Sequence, residues 1–360
     1  MILAFTLFVV FCFWLSLNSQ KQNVILTISL LLIVVLIGFR NVLWNDTQGY
    51  IAAFRQAPDI WHFSIYSSDA VYKEKGYHFL ASMVKTIWDN DRFYLLAMGA
   101  LSMFLLYKIL RNYCLLPLIG LCDYMGRFLL NRDFIQIRSS LAILIVIYGL
   151  KFVKERSFWK YFLCVLIASQ FHQMAWIGLP FYFFNLIHFK NWHIVCGLVL
   201  AAVFSQTLGP SISNVVDKYS DDLDYTTYTT GAYIEEALKL KNPMIYFQSA
   251  VLLLYCYFEG KIKKLSSYYF IYKNAYFYST IILIFFCNYT ALSGRTSTFF
   301  ATVEIFMLPM MVFAFKKKLP RNLFLIGIGL IIIYFFAHKY TNEINNIKRA
   351  AELIIEFRNS

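Results

Sequence analysis

The sequence predicts an all-α fold, a polytopic transmembrane bundle of about 12 spans with long outer-face loops and a C-terminal amphipathic helix. Three observations predict it. Hydrophobic residues make up 59% of the 360 positions and aromatic residues 19%. Charged residues make up only 15%, against roughly 25% in a soluble domain, so lipid must cover most of the surface. Apolar runs near the length that a membrane helix needs, about 17–25 residues, recur along the chain between short polar breaks.

The runs fall at 2–17, 23–39, 93–107, 113–130, 136–150, 158–171, 173–187, 193–209, 244–258, 274–290, 297–315 and 321–337. The first begins at Ile2 with no basic residue before it and no small-x-small site after it, so it reads as a retained helix and not as a cleaved leader. Residues 1–337 form the membrane domain. In the tail 338–360, Ile344, Ile347, Ala351, Ile354 and Phe357 recur at three- and four-residue spacing, which predicts an amphipathic helix on the membrane surface.

Charge assigns the sides. With these spans, alternate loops hold sixteen of the 33 basic residues and only two acids, Glu155 and Glu259. Short loops rich in Lys and Arg face the cytoplasm, so Lys151, Lys154, Arg156, Lys261, Lys263, Lys264 and Lys316 to Lys318 lie inside. A single helix over 158–187 would invert every later loop, which predicts a break near His172. Two long segments then face outwards, 40–91 and 210–243. The second holds Asp217, Asp221, Asp222, Asp224 and the Tyr-Thr-Thr-Tyr run at 225–228.

The net charge of +13 is spread over membrane loops and implies no nucleic-acid partner. The seven cysteines sit in or beside apolar runs without C-x-x-C or His spacing, and read as small core residues. Asp89-Asn-Asp91 and Asp222-Leu-Asp224 match the D-x-D triplet of metal-binding transferases, but acid-rich loops produce such triplets by chance. No metal and no cofactor are expected. There is no Gly-rich phosphate loop, Gly-x-Ser-x-Gly elbow or His-Glu-x-x-His.

The informative residues are arginines. Arg40, Arg127, Arg132, Arg138 and Arg295 all fall at outer helix ends, whereas lysine dominates the inner loops. Each alone reads equally as a snorkelling anchor. Together they suit a phosphorylated lipid headgroup, because the planar guanidinium fork matches phosphate oxygens and an ammonium does not. Asp46, Tyr50, Glu74, Gly76 and Tyr77 accompany them in the first outer segment. His172, in Gln-Phe-His-Gln, fits a proton acceptor at a helix break and also a core histidine bonded to a carbonyl. Glu304, inside the eleventh span, is expected to face the bundle and find a partner there.

The order of these residues resembles a known family. Arg40, Asp46 and Tyr50 are followed by Glu74-x-Gly76-Tyr77, then by Arg132-Asp-Phe-Ile-Gln136-Ile-Arg138-Ser-Ser-Leu-Ala142, then Phe171-His172, then Arg295 before an aromatic helix ending at Pro309. This pattern is similar to the EpsG-like branch of Wzy-type polysaccharide polymerases and covers nearly the whole chain. Many relatives carry Arg-Gln where this chain has Arg138-Ser139.

The resemblance implies a glycosyltransferase in the bacterial inner membrane, with its site facing the periplasm or outer side. Its substrates would be oligosaccharide repeat units on undecaprenyl pyrophosphate, and its partners the membrane lipids and a chain-length regulator. Arg40, Arg132, Arg138 and Arg295 would hold the pyrophosphate without metal. His172, Asp46 or Glu74 would serve as base, and Tyr50, Tyr77 and Gln136 would contact sugar. Two other classes also want cations in a membrane cavity: a flippase of lipid-linked oligosaccharide, and a glycan ligase or O-acyltransferase. The repeated halves usual in transporters are not found.

Overall fold

The computed structural model describes residues 1–18, 22–64, 74–207 and 238–359, and every regular element among them is helical. The acid-rich run from Asp217 to Asp224, the Tyr/Thr run at 225–228 and Lys21 lie outside the described residues. The principal helices are α1 (Ile2–Asn18), α2 (Gln22–Gly38), α3 (Thr47–Gln56), α4 (Lys75–Ile87), α5 (Asp91–Tyr113), α6 (Pro117–Tyr124), α7 (Ile137–Tyr148) and α8 (Phe158–Ser169). They continue with α9 (Gly178–Phe184), α10 (Asn191–Thr207), α11 (Pro243–Tyr257), α12 (Tyr269–Phe285), α13 (Thr290–Ala301), α14 (Glu304–Met311) and α15 (Lys318–Asn359).

The expected twelve spans are not confirmed by helix length. Two helices among the described residues are long and apolar enough to cross a membrane, Asp91–Tyr113 and Lys318–Glu352, and the bent pair Leu292–Ala301 and Glu304–Ala314 makes a third if it is one span. Ile2–Leu17, Gln22–Gly38, Phe158–Ser169, Asn191–Thr207 and Pro243–Tyr257 are apolar but only 10–17 residues long. The break near His172 is present: α8 stops at Ser169, and a 3₁₀ turn Gln173–Ile177 leads into α9.

The chain divides into two compact units. The first comprises 1–148, 163–175 and 308–360. Here α2 and α5 approach closely because glycine stands at the crossing. A Cβ on Gly38 would lie 2.3 Å from the Leu96 side chain, and one on Gly99 would lie 2.9 Å from Ile37. α5 also packs on α7, and α1 lies against α6 and α15, where Phe5 stacks on Phe336 at 4.0 Å. After α6 the backbone runs through a π-helical turn, Met125–Leu129, before a last α turn Leu130–Arg132.

The segment 40–91, expected as a loop, is largely helical. α3 and α4 turn Tyr50, Ile51, Phe54, Tyr77, Ala81 and Val84 into one core with Tyr94, Leu95 and Met98 of α5. Their three- and four-residue spacing is the helical signal. Asn90 caps α5, accepting the N–H groups of Arg92 and Phe93 at 2.9 and 3.0 Å. The tail 338–360 does not begin a new helix. α15 runs unbroken from Lys318 to Asn359, and its buried Glu343 accepts the Asn45 side-chain amide at 3.1 Å.

The second unit comprises 149–162 and 176–307. Its centre is α12, whose Tyr269, Tyr272, Tyr276 and Phe277 are fully buried against α10, α11 and α13. Glu304 faces inward as expected, and its carboxylate accepts the Tyr276 hydroxyl. The buried cation of this unit is Lys273, which donates to Glu259 at 3.1 Å.

Candidate arginine-rich site

Arg40 follows α2 and is 3% exposed. Its Nε donates to Thr47 Oγ1 at 3.1 Å, and its Nη1 donates to the Asp133 carbonyl at 3.0 Å. Its Nη2 is buried and has no hydrogen-bond partner among the described residues. Arg92 of α5 donates to the Arg40 carbonyl at 2.6 Å, so backbone and side chain are both held. Burial pushes the guanidinium down to about 10, while Tyr50, Tyr94, Asp133 and Tyr77 oppose that fall. The group therefore stays charged at neutral pH.

Asp133 anchors the next segment. Its carboxylate accepts the Tyr124 and Ser140 hydroxyls, each at 2.7 Å, and thereby ties α6 to the first turn of α7. Arg132, 2% exposed, lies 4.1 Å over the Phe128 ring. Arg127 sits in the π turn, its guanidinium 4.6 Å over Phe335 of α15. Extra residues in a helix re-aim the side chains that follow, and such turns recur at functional sites. Gln136 precedes α7, where its carbonyl accepts the Ser140 N–H at 2.9 Å, and its half-buried side-chain amide makes no hydrogen bond among the described residues.

Arg138, in the first turn of α7, pairs with Glu74 at 2.5 Å. Glu74 stands at the N-terminal end of α4 but does not cap it; its carboxylate serves the ion pair instead. Tyr77 follows on α4, with the Arg138 guanidinium 5.8 Å from its ring and its hydroxyl bonded to that of Tyr94. Tyr50 lies 6.0 Å from Tyr77, ring to ring. Both tyrosines are buried in the core of α3, α4 and α5.

His172 joins this unit through its neighbours. Phe171 packs on the same core, and the Gln170 carbonyl accepts the Tyr77 N–H at 3.1 Å. Gly76 permits that approach, since a Cβ there would lie 2.6 Å from the Gln170 Cβ. His172 Nδ1 accepts the Met174 N–H at 3.2 Å. A ring nitrogen that accepts holds no proton, so the imidazole is neutral with its proton on Nε2. Asp46 is exposed and left-handed, with φ of 61°, and its side chain makes no cap bond to α3.

The structure thus gathers Arg40, Arg132, Arg138, Glu74, Tyr50, Tyr77, Gln136 and His172 in the first unit, with Asp46 at its surface. Arg295 belongs to the second unit and lies inside α13, not before an aromatic helix. Thr47, Arg92, Tyr94, Tyr124 and Asp133 were not singled out by sequence reasoning. Asp133 had a signal, an acid inside the Arg132-to-Arg138 run. Tyr94 and Tyr124 had none, since buried tyrosines abound in this chain.

The fold and the site define an all-helical membrane protein with guanidinium groups fixed by hydrogen bonds, rings and an ion pair. The chain belongs to the EpsG family, which matches residues 23–350 and bears out the resemblance carried by the motif order. The family is one of polysaccharide-polymerase-like, glycosyltransferase-like membrane proteins. No curated protein and no solved structure matches the chain.

Proposed function

We propose that this protein polymerises lipid-linked oligosaccharide at the outer face of the bacterial inner membrane. A sugar hydroxyl of one repeat unit attacks the anomeric carbon of the growing chain. The bond from that carbon to undecaprenyl pyrophosphate breaks, and the pyrophosphate leaves with the electron pair. Such a leaving group needs its developing charge stabilised more than it needs a proton. Arg40, Arg132 and Arg138 are the groups suited to this in the first unit, and Arg295 in the second.

The observation that carries the reading is the Arg40 guanidinium. Two of its three nitrogens are committed to protein acceptors, and the third has no hydrogen-bond partner among the described residues. A charged donor buried in this way is preorganised for an oxyanion and pays little reorganisation on binding. Among the three candidate bases, Glu74 is engaged by Arg138, and His172 accepts at Nδ1, which leaves that nitrogen occupied. Asp46 makes no cap bond to α3 and adjoins Thr47, the partner of Arg40, so it suits the base role.

The test is chain growth by purified protein in nanodiscs supplied with lipid-linked repeat units. Arg40→Lys, Arg132→Lys and Arg138→Lys should lower chain growth at least about tenfold and leave mostly single repeat units as product. Long chains from all three variants would sink the proposal.

A further inference from the structure

The second unit holds a cavity of about 140 Å³ that the proposed reaction does not use. Lys154, Arg156, His188, Ser267 and Asn274 line it, with no carboxylate among its lining residues. Asn274 is 3% exposed. Its amide nitrogen donates to Asn185 Oδ1 and to the Ile187 carbonyl, both at 3.2 Å, which fixes how the amide points. Its Oδ1 is buried and accepts nothing among the described residues. A buried amide oxygen left without a donor costs free energy, so a donor belongs there.

Arg156 lines the cavity from the cap of the short helix Leu150–Lys154. Its backbone is left-handed, with φ of 54°, because the Ser157 and Arg156 N–H groups donate to the Phe152 and Val153 carbonyls at 2.9 and 3.2 Å and close that helix. The residue is exposed, and no ion pair engages it among the described residues. Lys154 lies 4.5 Å over the Tyr268 ring, and His188 lies 5.6 Å from Phe270, so both side chains are positioned by rings.

We infer that this cavity binds a hydroxylated phosphate ester, with its phosphate on Arg156 and Lys154 and a hydroxyl donating to Asn274 Oδ1. The same chemistry comes from two sources, a phosphatidylglycerol headgroup or a soluble glycerol phosphate. Basic pockets between membrane helices commonly take anionic headgroups on the side where lysine and arginine accumulate.

Both arms use the full-length purified protein. Glycerol phosphate is titrated against its unfolding temperature in detergent, with sulfate as an anion that carries no O–H. Nanodiscs of phosphatidylcholine with and without phosphatidylglycerol are compared by native mass spectrometry for retained lipid. Saturable stabilisation by glycerol phosphate, at least tenfold tighter than by sulfate, establishes a soluble ligand. Selective retention of phosphatidylglycerol establishes a lipid. Glycine is the residue that a left-handed helix cap favours, so Arg156→Gly removes the cation, should fold at least as well as the parent, and should bind at least tenfold more weakly. Asn274→Ala should abolish the preference over sulfate. Neither saturable binding nor lipid selectivity, or an Arg156→Gly variant that binds like the parent, overturns the inference.

Discussion

Arg40 donates through Nη1 to the backbone carbonyl of Asp133, 93 residues further along the chain, at 3.0 Å. The same arginine reaches Thr47 through Nε, so its plane is set by two segments at once. A lysine has one terminal nitrogen and cannot span both acceptors. Arg40→Lys should therefore lower chain growth by about tenfold to a hundredfold, the equivalent of about 1.5–3 kcal/mol for charge-assisted bonds, with the protein still inserted. Product length on gels and membrane abundance by immunoblot check the two halves.

The pH profile carries a signature of the same group. Burial lowers Arg40 to about 10, and only its protonated form attracts an anion. Activity limited by Arg40 should hold through neutral pH and fall as pH rises through about 10. The fall is not unfolding caused by this residue. A folded pKa lowered below the ordinary arginine value means that the unfolded chain binds more protons between the two, so the Arg40 contribution to stability rises across that window. Circular dichroism alongside the rate measurement separates the two.

Glu74 and Arg138 join α4 to α7 through one short ion pair, both side chains mostly buried. Glu74→Gln or Arg138→Gln alone should destabilise the fold by about 1–3 kcal/mol, because each leaves its partner without a counter-charge. Exchanging the two, Glu74→Arg with Arg138→Glu, should recover part of the stability but little chain growth, since the guanidinium then stands on α4. Denaturant unfolding of the single and double variants gives the coupling, and recovered polymer from the exchange would show that Arg138 is structural only.

Gly76 is the point at which α4 touches the turn that carries His172. A Cβ would lie 2.6 Å from the Gln170 Cβ and 3.0 Å from its carbonyl oxygen. Gly76→Ala should cost about 1–3 kcal/mol, as overpacking does, and should reduce chain growth by moving His172. An alanine variant with parental unfolding temperature and product length would place α4 and this turn further apart than the structure has them.

His172 is read as a neutral donor. Glutamine carries an N–H group but is no base near neutral pH, so His172→Gln should keep a measurable fraction of the chain growth that His172→Ala loses. Equal loss in both variants favours histidine as the proton acceptor.

Much of this site was legible in the sequence because its chemistry lies in few residue types. Arg40, Glu74, Arg132, Arg138 and His172 stand out as charged or titratable groups in an apolar chain, and the structure gathers all five in one unit. Composition could not say which of them were already engaged. Tyr50 and Tyr77 looked like sugar contacts because they flank arginines, yet their three- and four-residue spacing with Phe54 and Ala81 belongs to helices that bury them. The segment 40–91 looked like a loop because its charges mask that spacing. The twelve spans came from apolar length, with loop charge deciding the break near His172, and turns such as the Met125–Leu129 π turn leave no mark in hydropathy.

The discontinuity of the first unit bears on how it is made. Residues 40 to 138 supply most of the candidate site, but α15 supplies the surface on which α1 and the π turn rest, with Ile332 against Gly126 and Phe335 under Arg127. A ribosome reaches that helix only after the second unit has been made. The early helices must therefore wait in the bilayer with one flank uncovered while the second unit is synthesised. A chain halted before Lys318 should insert normally, fail to hold Arg127 in place, and be open to proteases and membrane chaperones that the finished protein excludes.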